Sequence, residues 1–217
     1  ADAWPRPLAH AGADYVASVV SPDRTRVAYT VLHHDDLNCV SLHVTDVAGS
    51  SRPLVHNPGF ALRSPTWSPD GSQLAFASEW PGWYEVFVVD AADGSAPRQL
   101  TTSGADFGDL AFTVDGTALV GTRSRHGVTD LVRVDVESGA VVVLAEGGTW
   151  SSPRLLADGG VAAVYESFST APCLRVVSAD GAVRELFAPT PMQIVAAPHI
   201  VPQHVTYESL DGTAVHG

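Results

Sequence analysis

The sequence predicts an all-β fold, a β-propeller built of four-stranded antiparallel blades, and three observations lead there. Aligning "VVSPDRTRVAYT", "TWSPDGSQLAFA", "AFTVDGTALVGT" and "RLLADGGVAAVY" places Asp23, Asp70, Asp115 and Asp158 in register, at spacings of 47, 45 and 43 residues. A second column repeats the period: runs of alternating apolar residues end at Asp46, Asp90, Asp135 and Asp180, each followed within four residues by Gly49, Gly94, Gly139 or Gly181. Period-two alternation bounded by Asp/Gly turns marks half-buried antiparallel strands joined by hairpins, and helical periodicity is nowhere sustained.

Each repeat yields four short strands. In the second they fall near Leu62–Trp67, Gln73–Ser78, Glu85–Asp90 and Arg98–Thr101. A four-stranded meander recurring every 40 to 50 residues is a propeller blade, whose apolar faces stack around a central channel. About four blades are recognisable, near residues 15–61, 62–106, 107–149 and 150–192, and the expectation is that they form part of a larger propeller. Residues 193–217 do not continue the pattern. Pro198 and Pro202 interrupt them, and "HVTYESLDGTAVHG" reads as the first hairpin of another domain.

The repeated aspartates have a mechanical reading. Asp accepts hydrogen bonds from the backbone just after it, and the following Gly supplies the positive φ of a tight turn. Where Arg24 takes the place of that Gly in the first repeat, the turn must change geometry or tolerate strain.

With 217 residues and 45% hydrophobic content, the chain can bury a good-sized core. Its 12 basic residues, all Arg, against 24 acidic ones give a net charge of −12, which repels phosphate backbones and anionic lipid. Neither nucleic acid nor membrane is expected as a partner. Cys39 and Cys173 form no C-x-x-C pair and are too few for a disulfide framework, so they read as two thiols in a reducing cytosol. The expected location is cytoplasmic, with periplasm or secretion left open for a protein whose signal peptide has been removed.

The chain resembles the β-propeller of the prolyl oligopeptidase family of serine peptidases, in particular its acylaminoacyl peptidase and dipeptidyl peptidase-like members. "SPTWSPDGSQLAF" with "PGWYEVFVVDAADGSAPRQLT" is similar to a typical blade, "GTWSSPRLLADG" to a late one, and "PHIVPQHVTYESLDGTAVHG" to the passage from propeller into the α/β-hydrolase domain. TolB-type periplasmic propellers share the "WSPDG" turn. The family's nucleophile sits in a G-x-S-x-G elbow, which this sequence lacks, so catalytic residues are expected in a hydrolase domain outside these residues. The resemblance implies a non-catalytic, cofactor-free segment whose partners are that hydrolase domain and the short peptides admitted to it. The alternative is a stand-alone TolB-like propeller that binds a protein.

A meander sends the loops between its second and third strands, and those between blades, to one end. There the sequence places His33–Asn38, Glu79–Tyr84, Ser103–Phe107, Arg123–Val128, Glu146–Thr149 and Phe168–Pro172, expected to be the longer and chemically richer loops. The candidates for substrate or domain contact are Glu79, Trp80, Trp83, Tyr84, Arg123 and His126. Trp and Tyr suit binding hot spots, while packing onto the blade is the competing role for Trp83 and Tyr84. Arg123 could meet a carboxylate, with surface pairing the simpler outcome. The resemblance to dipeptidyl peptidase-like members, whose propeller glutamates hold a peptide amino terminus, implies that role for Glu79 and Glu85, with exposed polar positions as the competing reading. The "HHDD" run at His33–Asp36 has ligand-like residue types, but neighbours on an extended chain point to opposite faces, which favours a solvated acidic loop over a metal site.

Overall fold

The computed structural model describes residues 13–46, 49–56, 59–94, 96–188, 203 and 205–216. Their regular elements are all strands. Blade 1 comprises β1 (Ala13–Val20), β2 (Arg26–His33), β3 (Asp36–Asp46) and β4 (Ser51–Val55); blade 2 comprises β5 (Leu62–Trp67), β6 (Gln73–Ser78), β7 (Glu85–Asp90) and β8 (Arg98–Gln99). Blade 3 comprises β9 (Asp106–Phe112), β10 (Ala118–Arg125), β11 (Val128–Asp135) and β12 (Val141–Ala145). Blade 4 comprises β13 (Thr149–Leu155), β14 (Val161–Ser167), β15 (Thr170–Val177) and β16 (Val183–Phe187). Within each blade consecutive strands pair antiparallel, and one parallel bridge, Thr129 to Thr149, joins blade 3 to blade 4. A separate two-stranded hairpin, β17 (Thr206–Glu208) with β18 (Ala214–His216), lies outside the four blades. The stretch with Pro198 and Pro202 is outside the described residues.

Three of the four strands expected in the second repeat have the expected bounds, and the fourth ends at Gln99 instead of Thr101. A side chain ends it. The Val86 amide donates to the Thr101 hydroxyl at 2.9 Å, where a continuing ladder would use a backbone carbonyl.

Period-two alternation gives each middle strand two apolar faces. In blade 2, Leu74, Phe76, Phe87 and Val89 pack towards blade 1, with Ala28, Leu42 and Val44, while Ala75, Ala77, Val86 and Val88 pack towards blade 3, with Phe107, Leu119 and Val132. Val120 and Leu131 continue the series to Trp150, Val161 and Ala163 of blade 4. The core is therefore a set of interfaces between blades, each meeting the next across interdigitated side chains.

The Asp turns work as the sequence suggests. The Asp70 carboxylate accepts from the Ser68 hydroxyl at 2.6 Å and the Ser72 amide at 3.0 Å, and the Ser68 Oγ accepts from the Gln73 amide at 2.9 Å. Ser21–Asp23–Thr25 and Thr113–Asp115–Thr117 repeat these bonds. In blade 4 Leu156 stands where the hydroxyl would be, and Asp158 keeps only its bond from the Gly160 amide, at 3.0 Å. Arg24 adopts φ 60°, matching 69° at Gly71, so the first turn tolerates strain and keeps the common geometry.

The first strands of successive blades touch one another, which places them innermost. Each of β5, β9 and β13 bulges at a residue with positive φ: Ser64, Asp109 and Ser152. Ser64 Oγ accepts from the Asp109 amide at 3.1 Å, and the Asp109 carboxylate accepts from the Ser152 amide at 2.9 Å. These bonds tie three blades around the channel. Pro65 and Pro153 follow two of the left-handed residues, positions where a missing N–H leaves no ladder bond unmade.

Gly139 has φ 72°, and a Cβ there would lie 2.0 Å from the carbonyl oxygen of Leu100 on blade 2. Replacing Gly139 by Ala is expected to destabilise the chain by about 2 kcal/mol or more, from left-handed strain plus the clash. Arg24→Gly should stabilise it by about 0.5 kcal/mol, as relief of strain exceeds the added chain entropy of glycine. Thermal melts of the two variants check both signs. Folding lowers the Asp70 carboxyl to about 2 from 3.8, through the Ser68 hydroxyl first and the Ser72 amide next, and lowers Asp23 similarly, led by Ser21. Their contribution is present above 3.8 and disappears as pH falls towards 2, so Asp70→Asn should lose less stability than wild type across that window in acid-unfolding curves.

Candidate functional site

The end carrying the loops between second and third strands is more sparingly built than expected. Strand β10 runs through Arg125 and β11 starts at Val128, so the expected loop 123–128 shrinks to His126 and Gly127, with φ 49° and 79° as a two-residue type I′ hairpin requires. Residues 34–35 and 168–169 make equally short connections. Among the described residues, the loop 79–84 of blade 2 is the long one of this class.

That loop is held at both ends. The Glu79 amide donates to the Ala61 carbonyl at 3.1 Å, and Glu79 Oε1 accepts from the Ala61 amide at 3.0 Å. The Tyr84 amide donates to Asp106 Oδ1 at 3.0 Å, and the Phe107 amide donates to the Tyr84 carbonyl at 2.7 Å. Above the Tyr84 ring sits the Arg63 guanidinium, 3.9 Å from its centroid, which also donates through Nε and Nη2 to the Phe107 carbonyl. Burial pushes the Tyr84 phenol up from its ordinary range, and the neighbouring Glu79 carboxylate adds to the shift. Tyr84 thus packs between blades 2 and 3, whereas Glu79 fixes the loop base.

Trp80 and Trp83 differ from Tyr84: each remains 50% exposed. Trp80 lies nearly parallel to the Phe87 ring, 19° between planes with centroids 6.0 Å apart, and Trp83 extends over Gly104, its Nε1 3.8 Å from where a Cβ would be. With Phe168, 74% exposed on the blade 4 turn, they give this end aromatic surface resting on a rigid base.

Two acidic and basic candidates prove to be interior. Glu85, at 2% exposed, accepts from the Gly104 amide at 2.8 Å and from the Thr101 hydroxyl, which makes it a brace for the connection between blades 2 and 3 and corrects the expectation of an exposed position. Arg123 is also buried. Its Nη2 bonds Asp130 Oδ2 at 2.7 Å across the β10–β11 hairpin, so the expected surface pairing is corrected to a buried one, and its guanidinium is turned away from solvent-borne carboxylates. The reason is the length of β10, which carries Arg123 inside the blade. His126 stands exposed at the tip of the same hairpin.

In blade 1 adjacent residues of the "HHDD" run do diverge. His34 pairs with Asp14 at 3.3 Å, and the Asp36 carboxylate accepts from the Asn38 amide at 3.1 Å and the Gly59 amide at 3.0 Å. His33 turns instead to Ser41, its Nε2 2.7 Å from that Oγ, which lies 2.9 Å from His43 Nε2. The His56 ring meets His33 edge-on at 5.2 Å between centroids, and its Nδ1 lies 3.9 Å from Cys39 Sγ. His33, Cys39 and His56 therefore bring three ligand-type atoms within 4.8 Å of one another. Sequence reasoning missed this group because His56 lies 17 residues beyond Cys39. A signal was present in β3, where Cys39, Ser41 and His43 alternate with Val40, Leu42 and Val44, a polar row opposite an apolar one.

Residues 5–205 match the TolB beta propeller domain. The chain belongs to this family. The Tol-Pal system protein TolB of Sodalis glossinidius is 33% identical over 103 residues, covering 46% of this chain and 24% of that protein. The match thus spans about a quarter of the curated relative's length, 24%. Among solved structures, a puromycin-hydrolyzing peptidase of Mycobacterium tuberculosis aligns with a TM-score of 0.78 and 21% identity, over 97% of this chain and 34% of that one. TolB from Acinetobacter baumannii aligns with a TM-score of 0.68 and 22% identity, over 81% of this chain and 44% of that one. At such identities the likenesses establish the propeller fold alone. This TolB-family propeller is similar both to peptidase propellers and to TolB itself.

Trp83→Ala should leave the melting temperature almost unchanged, since half of the ring is already in water; a large fall would make Trp83 a packing residue. Arg123→Ala, by contrast, strands the Asp130 carboxylate in the interior and should cost about 3 to 5 kcal/mol in denaturant unfolding, with much of that loss recovered in the Arg123→Met/Asp130→Leu double variant.

Proposed function

We propose that this TolB-family propeller is the non-catalytic gate of a prolyl oligopeptidase-like serine peptidase, controlling entry of short peptides to a hydrolase domain outside these residues. The observation that carries the reading is the β17–β18 hairpin. It lies apart from the blades, in the stretch that resembles the passage from propeller into hydrolase domain. The likeness to the puromycin-hydrolyzing peptidase over nearly all of the chain supports the same reading. The loop-bearing end with Trp80 and Trp83 would face the hydrolase domain, where half-exposed aromatic rings offer apolar contact to a domain surface or to a peptide side chain.

Gating of this kind is steric: an extended peptide passes a narrow channel or gap that excludes a folded protein. Further blades would complete the ring, covering the exposed apolar side chains of Tyr15 and Val16 on β1 and of Leu174 and Phe187 on blade 4. Cys39 and Cys173, buried without a disulfide between them, fit a cytosolic setting. A stand-alone TolB-like propeller that binds a protein is the second reading, favoured by the curated relatives matched.

The test is a peptidase assay on the intact parent protein and on these 217 residues alone, with an aminoacyl-anilide and a folded protein as substrates. The parent should cleave the small substrate only, the isolated propeller neither. Hydrolysis by the isolated propeller, or a parent protein with no G-x-S-x-G downstream, would contradict the proposal.

A further inference from the structure

We propose that His33, Cys39 and His56 form a binding site for a borderline-soft divalent metal ion, with Zn²⁺ the best match, which clasps the loop end of blade 1. This goes beyond the gating role and does not depend on it. The three residues come from separate segments: His33 closes β2, Cys39 lies in β3, and His56 follows β4 on the way to blade 2. Their donor atoms lie within 4.8 Å of one another, and Cys39 Sγ and His56 Nδ1 are 3.9 Å apart. Bonds of about 2.3 Å to thiolate and about 2.1 Å to imidazole, at tetrahedral angles, need donor separations of about 3.3 to 3.6 Å, a contraction that side-chain rotation can supply. His56 is exposed and His33 half-buried, so both rings have room to move, while the buried Cys39 provides the fixed point.

The donor set selects the metal. One thiolate with two imidazoles suits Zn²⁺, whereas Mg²⁺ and Ca²⁺ take oxygen ligands. Three protein ligands leave a fourth position, which the exposed side of His56 opens to water. The Ser41 hydroxyl, 2.7 Å from Nε2 of His33, holds that ring in place, as outer partners of metal-bound histidines do. Burial first, and then the Asp36 and Asp35 carboxylates, push the Cys39 thiol up from its ordinary range, so an ion must displace its proton; the same carboxylates attract that cation. On binding, a Zn–S bond replaces the S–H bond of Cys39 and the proton leaves to solvent, while both imidazoles bind neutral. The ion would then fasten the β2–β3 turn to the chain entering blade 2, and binding to the folded state alone would raise its melting temperature.

The experiment titrates metal-free chain with Zn²⁺ by calorimetry and with Co²⁺ by absorption, in wild type, Cys39→Ser, His56→Ala and the control Cys173→Ser. The expected result is one equivalent bound and a thiolate-to-Co²⁺ charge-transfer band. The band should vanish in Cys39→Ser, Zn²⁺ affinity should fall about tenfold or more in His56→Ala, and Cys173→Ser should match wild type. Absence of binding, or binding unchanged in His56→Ala, would overturn the proposal. Since His56 is at the surface, that variant decides the matter even where Cys39→Ser fails to fold.

Discussion

Arginine side chains that reach from one blade to a backbone carbonyl of the next fix how blades 1, 2 and 3 sit against one another. Arg26 donates to the Gly71 carbonyl at 2.8 Å, Arg52 to Ala91 and Ala92 at 2.7 Å, Arg63 to Phe107 at 3.0 Å, and Arg98 to Val136 at 2.8 Å. Apolar interfaces supply most of the attraction between blades, yet burial is non-directional and tolerates sliding. A guanidinium aimed at one carbonyl does not. Its planar fork of donors and weak hydration suit such partly buried contacts better than an ammonium would. Two of these residues also lie over aromatic rings, Arg26 over Trp67 and Arg63 over Tyr84, so one side chain fixes both a carbonyl and a ring.

The same interface explains where glycine and aromatic residues fall. Gly94 and Gly139 bring the turns of one blade against Leu54 and Leu100 of the blade before, closer than any side chain would allow. Trp67, at that same end of its blade, donates its indole N–H to the Val19 carbonyl at 3.1 Å. The Ser-Pro-Asp-Gly turn beside it is thus part of the joint between blades. With those ends committed to holding blades in register, the opposite ends of the strands are left to carry chemistry, and there the half-exposed tryptophans and the histidine–cysteine group of blade 1 are found.

Much of this architecture was legible in the sequence because it is local. Asp23, Asp70 and Asp115 take hydrogen bonds from residues two positions away, so a short motif contains the whole interaction and its repetition reveals the fold. Arg24 was open to two outcomes, and the strained one prevails because Ser21 and Asp23 impose the turn. The site was less legible. Arg123 read as a loop residue because its neighbours are polar, whereas hairpin register with Asp130 carries it inside. Glu85 was misplaced for a similar reason: its partners Thr101 and Gly104 lie across a connection that sequence spacing does not encode. Cys39 and His56 meet only because β4 returns alongside β3. Contacts made by strand return depend on register and twist, and one-dimensional periodicity carries neither.

Directional arginine contacts thus hold blade 2 in place against blade 1 on one side and blade 3 on the other. Amide hydrogen exchange on wild type and Arg98→Met measures this most directly, because that substitution keeps an apolar stem and removes only the donors to Val136 and Glu137. Faster exchange confined to the blade 3 turn from Val136 to Gly139, with β10 and β11 protected as before, is the predicted result. Unchanged exchange at that turn would mean instead that apolar packing alone sets the spacing of blades 2 and 3.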